Sequence, residues 1–479
     1  MTTENGLFWV ASAPESPVQG SLVADNKGIR LELAGSLTPA WVSVAQQSES
    51  EDAPAVVELA PASDDEKLLV HAVLADSPRL TTLVDCLSIQ RREVVTPAGG
   101  FGLQVLSPRY VVRGLHTAGN EQVFDAVRIR VANIDSWANL AGFAISPFDA
   151  AKVTLSYEKR STMEARSESG ARVSVHESMS RSWPRATGGH ITRKTWIQCS
   201  EFAESTYEEI QRRFVTPIVS FLSMLIGVRS PLVEVALRTD ETWVHVTSKN
   251  LLDDSGSVVE RRPDEILLPL SVASLGSVAR FVDVSAATGP LPPVIADAHG
   301  YLSQATLETQ VLELGTVAEG LHRRLFPNEV RMDADDAKRI RSKIGTATSD
   351  EDERFRDIIN GMLAHLEEMG YPRRITALAD RVEIGLPGAT GITKKWVQAV
   401  TDARNSYAHR TGGYLDEDSI SEFFAVSSSL KWILSGVCIL ESGVADSTLA
   451  AQVQKFPQYR QFLKNMEDAM PSVYSAAEK

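Results

Sequence analysis

The chain has 479 residues, 43% of them apolar and 23% charged, and a formal net charge of −14. That length is enough for two or three domains with cores of their own, and that charge excludes a surface that coats nucleic acid indiscriminately. An enzyme acting on RNA needs only a local basic patch and stays open. From the N-terminus, Gly20 to Gly28 reads as a strand and a tight turn, and Ile29-Arg-Leu-Glu-Leu33 alternates with period two. The same alternation returns at Val56 to Leu59, Val111 to Val112 and Val127 to Val131, with a helical stretch near Ser136 to Gly142. A strand at Val153 to Tyr157 precedes a long helix over Glu201 to Gly227. Its Tyr207, Ile210, Phe214, Ile218 and Leu222 recur at spacings of three and four, and Gly227 is its stop. Strands follow at Val233 to Leu237 and Trp243 to Val246.

Thr288-Gly-Pro-Leu-Pro-Pro293 interrupts regular structure and is the linker candidate. Beyond it Tyr301 to Phe326, Ala334 to Ile344, Asp350 to Met369, Thr393 to Arg410 and Asp416 to Glu441 carry helical periodicity. The expected class is α+β: an antiparallel β-rich, sandwich-like N-terminal region with one long helix, then an all-α bundle. The expected divisions are 1–150, 151–290 (continuous with the first as a sensing or regulatory region) and 300–470. Cys86, Cys199 and Cys438 lie far apart without zinc spacing, so they read as buried thiols in a reducing compartment. The N-terminus has no basic region leading into an apolar run, so no secretory leader is expected. The uncharged run that ends at Val228 is too short for a bilayer. A cytoplasmic protein without a membrane segment, metal or cofactor follows as the expectation.

The segment that carries chemistry runs from Lys394 to Arg410. Ile392, Trp396, Val400, Ala403 and Tyr407 form one apolar stripe for a bundle core. Asn405 and His409 stand one turn apart on another face, with Arg404 beside Asn405. Gly412-Gly413 ends the helix, so the histidine sits in the last turn, where the helix dipole favours imidazolium. Attack of a ribose 2′-OH on its neighbouring phosphate requires a group that exchanges protons near neutrality and a fixed cation for the charge building on phosphorus. Histidine and arginine meet those needs without a metal. The alternative is a solvated polar face that ends in a histidine.

Arg404-Asn405-Ser-Tyr-Ala-His409 resembles the Arg-polar-xxx-His motif of HEPN domains, helical bundles found in bacterial toxin and defence ribonucleases. Leu307 to Phe326 is similar to the opening helix of the ApeA-type HEPN subgroup. Phe8-Trp9, Pro17 to Leu22 and Ile29 to Gly35 resemble the start of the N-terminal domain that accompanies it. The resemblance implies a metal-independent endoribonuclease in anti-phage defence by abortive infection. Its site would be completed across a homodimer or higher homo-oligomer formed through the bundle. Arg404 would stabilise the phosphorane, His409 would act as acid and base, Asn405 would position them, and Glu319 would support the motif. His322 and His365 read as structural or surface residues. RNA, with a tRNA loop as the natural candidate, and a phage-derived trigger are the implied partners. The competing reading is a non-catalytic, HEPN-like interaction or dimerisation protein that binds RNA or a nucleotide. A third reading makes the β-rich part a ligand-binding sandwich with the helices as adaptor.

Overall fold

The computed structural model describes residues 2–475 except 26, 39–40, 46–56, 62–65, 76–79, 97–98, 141–142, 146–154, 158–161, 183–189, 250, 252–257 and 410–416. It describes the backbone alone at 41–45, 57–61, 93–96, 99–101, 143–145, 155–157, 181–182, 190–191, 301 and 406–409. The first strands are β1 (Thr2–Val10), β2 (Val18–Asp25), β3 (Gly28–Leu33), β4 (Trp41–Ala45), β5 (Val57–Pro61), β6 (Leu68–Leu74), β7 (Leu80–Thr96), β8 (Gly99–Ser107) and β9 (Tyr110–Arg113). They continue as β10 (Val123–Val131), β11 (Phe143–Ile145), β12 (Leu155–Tyr157), β13 (Met163–Arg166), β14 (Arg172–Ser182), β15 (His190–Thr206), β16 (Leu232–Thr239) and β17 (Thr242–Ser248).

Thirteen of these strands form one antiparallel sheet, and β7 also pairs with β8. That extra pairing closes β7-β6-β1-β2-β3-β8 into a barrel, which removes the exposed sheet edges on that side. Alternation decides what fills it: Phe8, Leu22, Leu31, Leu33, Val70, Leu83 and Leu106 point inward and form a core of their own. The remaining strands, β9-β17-β16-β10-β15-β14-β13, fan out from β7 as an open sheet whose apolar face needs a cover. The β-rich, α+β expectation therefore holds, with closure into a barrel as the device that buries half the sheet.

The cover is helical. After α1 (Ile134–Ala138), α2 (Tyr207–Ile210) passes through one π turn (Gln211–Val215) into α3 (Thr216–Ile226). The expected helix from Glu201 begins later, because Glu201 to Thr206 still belong to β15. Thr206 starts the helix with a capping box: its Oγ1 accepts from Glu209 N at 3.4 Å, and Glu209 Oε2 accepts from Thr206 N at 2.9 Å. Gly227, in the left-handed region at φ +83°, ends it as expected. Then come α4 (Leu270–Thr288) and α5 (Leu291–Asp297). The proline-rich stretch after Thr288 is a tight turn into α5, with Pro292 buried. Pro in the first helical turn loses no hydrogen bond.

The bundle comprises α6 (Leu307–Leu325), α7 (Ala334–Ala347), α8 (Glu353–Leu363), α9 (Tyr371–Val382), α10 (Thr393–His409), α11 (Glu417–Glu441), α12 (Asp446–Lys455), α13 (Pro457–Ala469) and α14 (Pro471–Tyr474). Helices α6, α9, α10 and α11 pack on one another, and α11 is apolar on nearly every face. By length and composition α4 and α11 could cross a membrane. Burial accounts for their apolarity, with 83% of the α11 window and 50% of the α4 window inside the protein. The three cysteines are buried, and burial pushes their thiols far above the usual range.

One continuous core runs from the open sheet through α3 and α4 into the bundle. Phe221 of α3 and Phe281 of α4 stack with centroids 4.2 Å apart, both fully buried. Trp137 Nε1 donates to the Leu268 carbonyl at 3.0 Å, tying α1 to the start of the helical part. Replacing Phe281 by alanine should cost about 3–5 kcal/mol. Near-ultraviolet and far-ultraviolet dichroism should then lose structure in one coincident transition at lower temperature. Two separated transitions would contradict a shared core.

A second consequence concerns pH. His299 Nε2 lies 3.0 Å from Ser435 Oγ, and its Nδ1 has no partner among the described residues. Burial first, and the nearby Lys431 cation second, hold its pKa well below the ordinary 6.5. A histidine with a depressed folded pKa takes up its proton on unfolding, so its contribution to stability is lost as pH falls below about 6.5. Melting curves of His299→Gln should show a shallower loss of Tm than wild type between pH 7 and 5.

Candidate active site

Three helices of the bundle meet at the site: α6, α9 and α10. Helix α6 is capped by Thr306, whose side chain accepts from Thr309 N, and it buries Val311, Leu314, Val317, Ala318 and Leu321. Its flank then presents Glu319 and Arg323. Helix α9 starts with Tyr371-Pro372 and buries Ile375, Leu378, Ala379 and Val382. On α10 the apolar stripe is realised by buried Trp396, Val400 and Ala403, with Trp396 Nε1 donating to Ser429 Oγ at 2.8 Å. Ile392 precedes the helix and is 38% exposed, so it only borders the stripe. Arg404 and exposed Asn405 follow directly on the next faces.

Arg404 Nη2 donates to Glu319 Oε2 at 3.0 Å, and its guanidinium carbon lies 4.3 Å from the centre of the Tyr371 ring. One carboxylate and one aromatic face thus fix the cation, half-buried, on α10. Glu319 Oε1 also accepts from Arg323 Nη2 at 3.1 Å, and the same Arg323 nitrogen reaches Glu368 Oε2 at 2.7 Å. Behind them lies buried Arg374, which donates to the Met369 carbonyl at 2.8 Å and faces His322 Nδ1 at 3.4 Å. His322 Nε2 is 3.0 Å from Glu329 Oε2. Burial holds the His322 pKa below its usual value even though Glu329 pulls it upward. The neutral ring that donates from Nε2 and accepts at Nδ1 satisfies both neighbours.

Glu319 and Arg404 are therefore brought together across 85 residues of sequence. His322 is structural, as expected from sequence, and exposed His365 holds Glu368 at 2.7 Å. His409 lies one helical turn beyond Asn405 along α10, and its side chain and that of Tyr407 lie outside the described residues. Gly412 and Gly413 also lie outside them. Sequence reasoning missed Tyr371, Arg323, Arg374 and Glu368. The signal for α9 was present: Gly370 before a Tyr-Pro start, then Ile375, Leu378, Ala379 and Val382 at helical spacing.

Residues 3–246 match the family described as ApeA N-terminal domain 1, and residues 312–448 match the one described as Apea-like HEPN. The chain belongs to the ApeA family. Comparison with curated proteins and with solved structures gives no match. The HEPN match spans α10 entire and most of α6, so Glu319, Arg323, Tyr371, Arg374, Arg404 and Asn405 all fall within it. The HEPN bundle is generally a ribonuclease fold, and ApeA-type membership ties this chain to nuclease or RNA-related roles in anti-phage defence.

The approach of α9 and α10 to α6 depends on Gly315. A Cβ there would stand 3.0 Å from the Tyr371 hydroxyl and 3.8 Å from Arg404 Cδ. That hydroxyl is buried without a partner among the described residues, and burial pushes its pKa far up, so it remains neutral. Gly315→Leu should overpack this junction at a cost of about 1–3 kcal/mol in urea unfolding. It should also abolish any activity that depends on Arg404. Wild-type stability and activity in that variant would show that the close packing is dispensable.

Proposed function

We propose that this ApeA-family chain is a metal-independent HEPN endoribonuclease. Arg404 holds the scissile phosphate, His409 exchanges the protons, Asn405 orients them, and Glu319 sets the guanidinium. The observation that supports it most is the pairing of Arg404 with Glu319 at 3.0 Å over the Tyr371 ring, one residue before Asn405 and five before His409. An arginine fixed in that way offers its remaining N–H donors to a phosphate with little ordering cost.

In the reaction, a histidine accepts the 2′-OH proton as that oxygen bonds to phosphorus. The bond from phosphorus to the 5′-oxygen breaks, and a second imidazolium protonates the departing oxygen. The products are a 2′,3′-cyclic phosphate and a 5′-hydroxyl end. One chain contributes one such motif, so two copies of the bundle in a homodimer or higher homo-oligomer supply the base and the acid. Single-stranded RNA, such as a tRNA loop, gives the in-line geometry that a paired strand resists. We read the β-rich region (with residues 1–150 and 151–290 as its two stretches ahead of the 300–470 bundle) as the part that senses infection or restrains a toxic nuclease. The setting is abortive infection in the cytoplasm.

The test is induced expression of wild type, Arg404→Ala and His409→Ala with and without phage, followed by mapping of RNA 5′-hydroxyl ends. Wild type should protect and cut. Each variant should lose cleavage by about 10²–10³-fold or more while keeping its wild-type melting temperature. Glu319→Gln should fall in between. If folded variants protect as well as wild type and no RNA is cut, the bundle is a non-catalytic interaction module.

A further inference from the structure

A cavity of about 760 Å³ opens between the β-rich region and the helical layer, far along the chain from the HEPN motif. Its size is that of a small-molecule pocket. One wall is the π turn with Arg212, Arg213 and Phe214, and the other is the end of α4 and the turn into α5, with Ala286, Pro290 and Pro293. A π turn widens a helix locally and recurs at functional sites.

The charges in the cavity are unevenly engaged. Arg109 is paired with Glu208 and lies 3.5 Å from Asp85. Asp283 accepts backbone N–H groups from Glu168 at 2.7 Å and Ser169 at 3.2 Å. Among the described residues Arg212 and Arg213 have neither an ion pair nor a hydrogen bond. Both are exposed, Arg213 lies against the Phe214 ring at 5.1 Å, and the Glu209 carboxylate is near enough to feel both charges. The site thus offers two guanidiniums without a hydrogen bond or ion pair among the described residues, beside a lining of phenylalanine, prolines and alanine. Guanidinium forks match the oxygens of a phosphate bidentately, and the apolar lining accepts a flat apolar body.

The turn from α4 into α5, which lines the cavity, also packs on α6. Arg324 Nη1 donates to the Thr288 carbonyl at the end of α4, and a Cβ on Gly320 would stand 3.3 Å from Leu291 Cδ1. Gly320 follows Glu319 directly, and Glu319 holds Arg404. An occupant that presses on Pro290 and Pro293 therefore acts on α6 within one residue of the carboxylate that sets the motif arginine.

We propose that this cavity is an effector site for a small organic phosphate with an aromatic body, coupled through Gly320 and Arg324 of α6 to the Glu319–Arg404 pair. The coupling rests on the nuclease reading; the binding does not. The probes are adenosine 5′-monophosphate and 1-naphthyl phosphate, with adenosine and inorganic phosphate as controls, at about 5 mM. Linkage predicts that either organic phosphate raises the wild-type Tm by about 2 °C or more, and that each control gives well under half of that. Ala286→Trp, which fills the cavity, and the double variant Arg212→Ala/Arg213→Ala should lose the shift. Arg404→Ala should keep it, which separates this site from the motif. Hydrogen exchange over residues 317–325 should change on binding in wild type and not in Arg324→Met. The proposal is overturned if neither probe shifts wild type, if phosphate alone accounts for the shift, if Ala286→Trp shifts equally, or if binding leaves α6 exchange untouched. None of these readouts involves RNA cleavage, so failure here and failure of the nuclease reading are told apart.

Discussion

The stacking of Phe221 on Phe281 is where an open β-sheet and a helical bundle become one body. The sheet cannot stand alone, because only its barrel half closes on itself and the other half exposes an apolar face. The bundle is not separate from it, since α4 packs on β13 and β14 on one side and on α11 on the other. Burial of two phenylalanines of this kind contributes several kcal/mol, a large share of the net stability of any domain. A cut placed at the prolines near residue 290 would open this core and would not release an intact bundle. Any signal from the β-rich region to the bundle consequently passes through packed side chains.

The motif arginine is governed by the same logic of engagement. Three guanidiniums, of Arg404, Arg323 and Arg374, share two carboxylates, Glu319 and Glu368. Each carboxylate bridges two cations, so moving one side chain alters the field at the others. The pairs are partly exposed and individually contribute only modestly to stability. Their value lies in orientation, which an isolated arginine at the end of a helix would lack. In a chain of net charge −14, three guanidiniums against two carboxylates give this cluster a local positive excess.

Much of this was legible in the sequence, for identifiable reasons. Period-two alternation revealed β3 and β10, and three-four spacing revealed α10 and α11, because those elements bury one face each or are buried throughout. The start of α2 was misplaced because Glu201 to Thr206 carry helix-forming residues while their backbone pairs in β15; sheet pairing overrode local preference. Barrel closure was not legible, since it depends on which strands meet and on no residue type. Arg404, Asn405 and His409 stand in one stretch and could be picked out directly. Glu319 was placed by resemblance. Tyr371, Arg323 and Arg374 join the cluster only through tertiary packing, which no local spacing announces.

The helix that links these facts is α6. Gly315 lets Tyr371 and Arg404 approach on one side, and Gly320 lets Leu291 approach on the other. Five residues at 100° each separate the two close contacts by about 140° around the helix, so they lie on nearly opposite flanks. Each glycine weakens a helix by about 1 kcal/mol relative to alanine, so α6 relies on its neighbours more than on its own propensity. A helix held chiefly by what packs against it responds when one of those neighbours moves. Glu319 sits between the two contacts, bonded to the arginine that the proposed chemistry requires. The geometry that gives α6 its close fit on both flanks thus places Glu319, and with it the setting of Arg404, between the contact with α9 and α10 on one side and the start of α5 on the other.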